Sequence, residues 1–513
     1  MIASAKTQVP AVFTHEQIMR VMWGIALCIF LSALDQTIVV PAVPAMAGSL
    51  KGFGQLSWIV SVYLLTSTAA TPILGKLSDT HGRRILMLLS IAIFTISSML
   101  CAFSTTLMQM VLSRALQGVG GAGLLAMSHA IIADVASPRE RGRYQLYLSG
   151  TWGVASIIGP LTGGYLTDHL SWRAIFWINL PLGVITFLLT SRSLELLPRF
   201  EMRRSNIDYL GAALLTFAVT SGLLVLSCGG NEYDWLSVPV FSLAGGSVVA
   251  VVMLSIIESR LPDPLLPGRL FSNGVAVSGF ALSFCNAVCM LGTTFLLPLY
   301  FQFMRGADAS SSGILLMPFL MAFVVLSYAG GKFARRIGKT KWLMVIASLV
   351  TALGLALMAT AEENTSRYLT TIYVVVIGGG IGLIQPCVTM TVQNAVELRD
   401  LGIATSGTLL FRMIGGAFGA TLVGAIVTGE FNARMDALGS PSHATLGSLR
   451  TGAGTLAAQV AGVSRDLVES ALGSGFHFAF LSCAGVSILG FAIALLAQDP
   501  ILRMSAQSTP KGD

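Results

Sequence analysis

The sequence predicts an all-α membrane protein of fourteen spans, built as two six-helix bundles with two further helices inserted between them. Three observations carry that expectation. Of 513 residues, 54% are hydrophobic and only 11% charged, with a mean hydropathy of +0.77, whereas soluble domains average about 25% charged. The apolar residues fall into segments of roughly 20, the length that crosses a bilayer as a helix. Basic residues collect in alternate connections between those segments, the asymmetry that sets orientation in a membrane.

Taken in order, the spans lie near residues 21–41, 57–77, 85–104, 108–133, 144–167, 173–192, 208–228, 238–258, 275–302, 312–333, 342–360, 369–393, 403–428 and 476–498. The polar leader to Arg20 lacks a short apolar core with a small-residue cleavage site, so the first span is its own insertion signal. GRR at 82–84, PRERGR at 138–143, Arg199 with Arg203 and Arg204, and KFARRIGKTK at 332–341 share one side; SLKGFGQL, GNEYDW and AEENTSRY share the other. On this division 22 of the 31 Lys and Arg fall on the N-terminal side, seven on the far side, and Arg114 and Arg412 inside spans. The N-terminus is therefore expected in the cytoplasm, and an even count returns the C-terminus there. The expected organisation is a cytoplasmic segment 1–20, an N-terminal bundle 21–192, and a linker with two inserted helices 193–258. A C-terminal bundle 259–498 follows, with an external loop at 429–475, and then a cytoplasmic tail 499–513.

The same distribution answers other questions. A net charge of +7 reflects orientation in a lipid bilayer rather than affinity for nucleic acid. All seven cysteines lie in apolar segments; Cys285 and Cys289 share a helix face with no His or third Cys near, which reads as packing rather than a metal site. GVGGAG (118–123) fits a dinucleotide pattern but belongs to a membrane helix rather than a strand–helix turn. Gly338-Lys339-Thr340 resembles the end of a phosphate loop, yet Phe333 stands where its first glycine belongs. No cofactor is expected, no metal site, and no enzymatic constellation.

An internal echo supports the two-bundle arrangement. GKLSDTHGRR (75–84) follows span 2 and GKFARRIGKT (331–340) follows span 10, so that Gly75 and Gly82 align with Gly331 and Gly338. Repeats of this parallel kind mark transporters made of two equivalent halves.

Asp35 is the most informative residue. A charge in hydrocarbon costs at least about 2.5–3.5 kcal/mol, so such residues line a polar path or bind something. Arg114 is an opposite charge in another span of the same bundle, and pairing lowers the cost of both; a purely structural ion pair is the alternative reading. Gly159, Pro160, Gly163 and Gly164 give a kinked helix with a smooth face for close approach. Asp79 is placed to meet a neighbouring helix N-terminus, beside Arg83 and Arg84; a plain basic loop is the alternative. Polar groups expected to line a central cavity are Gln36, Thr37, Asn286, Gln302, Gln385, Asn394 and the deep cation Arg412. Trp172, Phe176 and Trp177 fit an aromatic belt equally well and carry no assigned chemistry.

These segments together resemble the major facilitator superfamily, and within it the 14-helix drug/proton antiporters. GKLSDTHGRRIL is similar to the cytoplasmic loop motif of the superfamily, with Thr80 in place of a basic residue. LDQTIVVPAVP (34–44) resembles the first-helix motif of drug/proton antiporters, departing at Val40 and Pro41. RALQGVGGA (114–122) resembles the fourth-helix motif with its membrane arginine, and ASIIGPLTGG (155–164) the fifth-helix antiporter motif. SWRAIFWINLPLG (171–183) is similar to the sixth-helix signature of the 14-span branch, and FRMIGGAFG (411–419) resembles the corresponding family segment.

The resemblance implies a major facilitator fold and export of amphipathic drugs or other small organic compounds across the cytoplasmic (inner) membrane in exchange for protons. Asp35 would carry the proton, with Arg114 assisting. Gly159, Pro160, Gly163 and Gly164 would form the rocking seam. Gly75, Asp79, Gly82, Arg83 and Arg84 would gate the cytoplasmic side. One deep acid against two deep arginines favours neutral, monovalent or zwitterionic substrates over dications. A dedicated exporter of a single metabolite, such as a siderophore or antibiotic, and a non-transporting membrane sensor remain alternatives. The segment 429–475 is where a periplasmic adaptor protein would dock, though nothing in its composition requires one.

Overall fold

Thr14 and Gln17 open the first helix with a reciprocal cap, the Gln17 amide N–H donating to Thr14 Oγ1 at 3.3 Å and the Thr14 N–H to Gln17 Oε1 at 2.9 Å. Such a cap satisfies two of the donors a helix start leaves orphaned. Helix α1 (His15–Ile38) therefore begins six residues before the expected span, since polar residues outside the apolar stretch can still be helical. It ends where Pro41, lacking an N–H, sits in a 3-10 turn (Val40–Ala42), and α2 (Val43–Leu50) carries on from there.

The computed structural model describes residues 14–50, 56–135, 141–196, 209–229, 233–258, 268–361, 365–396, 401–437 and 465–498. The readings of the leader before Thr14, of Arg199, Arg203 and Arg204, and of the tail from Asp499 lie outside the described residues. So do the side chains of Asp79, Arg335 and Cys228.

The chain continues through α3 (Leu56–His81), α4 (Arg83–Phe103), α5 (Leu107–Val135), α6 (Arg141–His169), α7 (Ala174–Trp177) and α8 (Asn179–Ser193). Next come α9 (Tyr209–Cys228), α10 (Val238–Glu258), the short α11 (Gly268–Phe271), α12 (Gly274–Arg305), α13 (Ala309–Ile337) and α14 (Lys341–Ala359). The last three are α15 (Arg367–Ala395), α16 (Leu401–Ala437) and α17 (Arg465–Leu496).

The packing shows one arrangement used twice. In the first set, α1 packs on α5, α6 and α8, α3 packs on α5, and α4 packs on α5 and α8. In the second, α12 packs on α15, α16 and α17, α13 packs on α15, and α14 packs on α15 and α17. The equivalences are thus α1 with α12, α3 with α13, α4 with α14, α5 with α15, α6 with α16, and α8 with α17. The sets meet along α6 with α13 and α3 with α16, while α9 and α10 pair and α9 rests on α3 and α16. This is the major facilitator fold, with no named strand among the described residues.

Its outer surface is apolar. Along α4, Ile85, Leu89, Ile96 and Leu100 are exposed, and α10 exposes Val248, Val249, Val251, Val252, Met253 and Ile256. Exposed apolar stripes of this extent belong against lipid.

Helices stand at all fourteen predicted positions, and among the described residues eleven of them offer a stretch long and apolar enough to cross a membrane on those grounds alone. The remainder are α6, α3 with an apolar core of Trp58–Thr71, and α9 with Ala213–Gly222. Helix α6 faces the opposite bundle, where small and polar residues replace apolar ones. The loop expected at 429–475 is also shorter, because α16 runs on to Ala437 and α17 begins at Arg465. Beyond the apolar stretch α16 continues as a polar helix, with Arg434 donating to Glu430 one turn away at 3.0 Å. Residues 438–464 of that loop lie outside the described residues.

Candidate functional site

Asp35 lies in the last turn of α1 with no exposed surface. A carboxylate there is tolerable only if its lone pairs are met, and three donors meet them. Arg114 Nη1 of α5 donates to Oδ2 at 2.6 Å. Gln117 Nε2, one turn along α5, donates to Oδ1 at 2.9 Å. Asn179 Nδ2, the first residue of α8, donates to the same oxygen at 2.8 Å.

A second layer holds these donors in place. Arg114 Nη1 also donates to Gln117 Oε1 at 2.8 Å, and its Nε to the Ile59 carbonyl of α3 at 3.1 Å. The guanidinium lies 4.5 Å from the Tyr63 ring centroid, a favourable cation–π placement. Asn179 Nδ2 reaches Ser98 Oγ of α4 at 3.0 Å, and Ser98 in turn donates to the Phe176 carbonyl at 3.0 Å. Five helices of the first set therefore converge on one acid.

The spacing of Asp35 and Arg114 showed their placement in one bundle. It did not show Gln117, Asn179, Ser98 or Tyr63. Gln117 carried a signal, lying three residues from Arg114 on the same helix face. Asn179 carried a weaker one, as a lone amide inside AIFWINLPLG. Phe176 is fully buried and Trp172 nearly so, against the helices rather than in a belt, whereas Trp177 is partly exposed.

Beside this acid lies a narrow cleft between the two sets. Gln36, Thr37, Tyr63 and Arg114 line it from the first set, and Met290, Thr294 and Phe295 of α12 from the second. Arg114 thus belongs to both the buried network and the cleft wall. The other proposed cavity residues lie elsewhere. Asn286 donates to Gln385 Oε1 at 3.2 Å and borders a separate hollow inside the second set with Cys285, Cys289, Ser348, Thr351 and Ser487. Gln302 ties the sets together, donating to the Pro41 carbonyl at 3.3 Å and to Ser312 at 2.9 Å. Asn394 donates to the Met390 carbonyl of its own helix at 2.8 Å. Arg412 is half-buried on α16 and makes no ion pair among the described residues.

The small face of α6 touches both sides. A Cβ on Gly159 would meet Thr37, and one on Gly163 would meet the Ile38 carbonyl of α1. On Gly164 it would come within 2.6 Å of Ser310 Cα at the start of α13, and Gly313 abuts the Pro160 carbonyl. Asp168 Oδ2 accepts the Ser310 N–H at 2.6 Å across the same junction.

At the opposite end, Gly82 has φ +92°, a conformation that favours glycine, while a Cβ on Gly75 would meet nothing. Arg83 pairs with Asp134 of α5 at 2.7 Å and donates to Ser78 at 2.6 Å; Arg84 pairs with Glu195 at 2.9 Å. Both pairs lie within the first set.

The equivalence of α1 and α12 exposes a second repeat, LDQTIVVP (34–41) against LGTTFLLP (291–298). Leu34, Thr37 and Pro41 match Leu291, Thr294 and Pro298, and Gly292 occupies the place of Asp35. Only one half carries the acid.

Known proteins match this architecture. The multidrug transporter protein MdtP of Bacillus subtilis is 35% identical over 86% of this chain and 80% of its own length. Multidrug resistance protein 3 of the same organism is 29% identical over 90% of this chain and 88% of its own. Among solved structures, a bacterial homologue of the human lysosomal transporter Spinster superposes with a TM-score of 0.69 at 14% identity, covering 94% of this chain and 98% of that one. The description of the Major Facilitator Superfamily matches residues 25–420, from the first span through most of the second set. Sequence and fold agree over nearly the whole length, and the chain belongs to the Major Facilitator Superfamily, as a multi-pass membrane transporter.

Proposed function

We propose that this transporter is a proton-coupled antiporter that exports amphipathic drugs or other small organic compounds across the cytoplasmic membrane, crossing it fourteen times with both termini in the cytoplasm. One observation supports the coupling above all. Arg114 holds the buried Asp35 at 2.6 Å and also forms part of the cleft wall. A substrate seated in the cleft keeps the guanidinium on the carboxylate and so opposes a proton there. A proton on Asp35 in turn releases Arg114 into the cleft, where it opposes the substrate. Coupling of this kind is reciprocal by linkage. Rocking of the two sets along the α6–α13 and α3–α16 contacts would expose the cleft to either side in turn, with Gly82, Arg83 and Arg84 bracing the cytoplasmic end.

The relatives named as multidrug transporters support the substrate class, as does a cleft whose wall mixes apolar residues with a few polar ones. The test is flux in proteoliposomes under an imposed pH gradient with a panel of dyes and antibiotics. Gradient-driven uptake by the unsubstituted protein and its loss in Asp35→Asn is the expected result. Uphill flux that survives Asp35→Asn would sink the coupling, and flux of one compound only would restrict the substrate class.

A further inference from the structure

We propose that Asn179 is the swivelling partner of the Asp35 proton, a positioning residue that offers its amide nitrogen to the charged carboxylate and its amide oxygen to the neutral acid. The inference rests on the proton exchange proposed above and adds what receives the acid's O–H.

The geometry around Asp35 suits only one of its two charge states. Both carboxylate oxygens are met by N–H donors, from Arg114, Gln117 and Asn179. A carboxylate accepts all three, but a neutral acid carries an O–H that needs an acceptor. The nearby acceptors are engaged. Gln117 Oε1 takes Arg114 and the Cys101 thiol. The Ile59 carbonyl takes Arg114, and the Ser32 hydroxyl is paired with Tyr63. One acceptor is idle: Asn179 Oδ1 is buried and has no hydrogen-bond partner among the described residues.

That oxygen belongs to the group already bonded to Asp35. The amide torsion is broad and roughly two-fold, so a half turn exchanges nitrogen and oxygen at little cost in strain. With Asp35 charged, Nδ2 must face it. With a proton on Asp35 Oδ1, the turned amide places Asn179 Oδ1 to accept that O–H. The Ser98 hydroxyl, which now accepts from Nδ2 while donating to the Phe176 carbonyl, can rotate its own proton toward the amide oxygen. No atom is gained or lost beyond the carried proton. The other titratable groups facing Asp35 are Arg114 from α5, Tyr63 from α3 and Cys101 from α4; none of them supplies a free acceptor.

Infrared difference spectroscopy of the full-length protein in lipid, with asparagine carrying a carbon-13 side-chain carbonyl, reads both partners. Lowering the pH should bring up the neutral carboxyl band of Asp35, identified by its absence in Asp35→Asn. In step with it, one labelled amide carbonyl band should move as Asn179 Oδ1 gains a hydrogen bond, and Asn179→Leu should lack that movement. In proteoliposomes Asn179→Leu should lower gradient-driven flux by about tenfold or more, the factor set by one charge-assisted hydrogen bond. A carboxyl band that rises while no labelled amide moves would overturn the swivel and leave proton exchange standing. A carboxyl band that never appears, with no gradient-driven flux in the unsubstituted protein, would overturn the exchange itself. Should Asn179→Leu fail to fold, the labelled unsubstituted protein still decides.

Discussion

At the residue scale the energetics turn on a buried ion pair that is costly to form and costlier to break. Each ion loses several kcal/mol of hydration, and the mutual attraction offsets this only because both carboxylate oxygens are hydrogen-bonded. Asp35→Asn removes the charge and leaves Arg114 buried at 1% exposure with no counter-ion. The expected loss of stability is about 3–5 kcal/mol. Replacing both, Asp35→Asn with Arg114→Gln, removes the orphaned cation as well. The double variant should therefore melt at a higher temperature in detergent than Asp35→Asn alone, although neither transports uphill. A double variant less stable than the single one would mean that the packing of Arg114 on Tyr63 and the Ile59 carbonyl outweighs its charge.

At the element scale the glycines of the two sequence motifs separate into different physical roles. Gly82 has φ +92°, and a side chain there is strained whatever the space around it. Gly82→Ala should cost about 1–3 kcal/mol and lower the melting temperature. Gly75 lies inside α3 with open space where a Cβ would go. Gly75→Ala should be neutral or stabilising by up to about 1 kcal/mol, through helix propensity; equal losses at both sites would refute the distinction. On α6, Gly164→Val would drive a side chain into Ala309 and Ser310 and part α6 from α13. Maleimide added from outside should then label Ser156→Cys, a cleft residue with no exposed surface, faster than in the Gly164 background. Unchanged labelling would show that this contact does not close the cleft. These elements also mark how far the sequence could be read. Hydropathy and charge alternation are local, so the helices and the pairing of Asp35 with Arg114 were legible from spacing. Which other polar side chains converge depends on how each helix is rotated against its neighbours. Asn179 reaches Asp35 from the start of α8, and Gln302 tethers α12 to Pro41 rather than lining the cleft. Neither follows from composition.

For the whole molecule, the two sets share a backbone plan but not a charge, since Gly292 stands where symmetry would repeat Asp35. Among the described residues Asp35 is then the one carboxylate deep in a span, and each cycle should exchange a single proton. That stoichiometry fixes the electrical character of transport. Export of a neutral compound against one proton moves one net charge, worth about 2.3 kcal/mol per 100 mV, or a gradient of roughly fifty-fold. Export of a monovalent cation against one proton moves none. Proteoliposomes clamped with potassium and valinomycin should therefore show a neutral substrate driven by membrane potential and by pH gradient alike. A monocation should respond to the pH gradient alone. A dication would have to move against the potential, and it would also meet Arg114 on the cleft wall, so it should be the poorest substrate of the three. If potential alone drives the monocation uphill in the direction of export, more than one proton enters per cycle. A second carrier must then be sought, and the asymmetry between Asp35 and Gly292 would not set the coupling ratio.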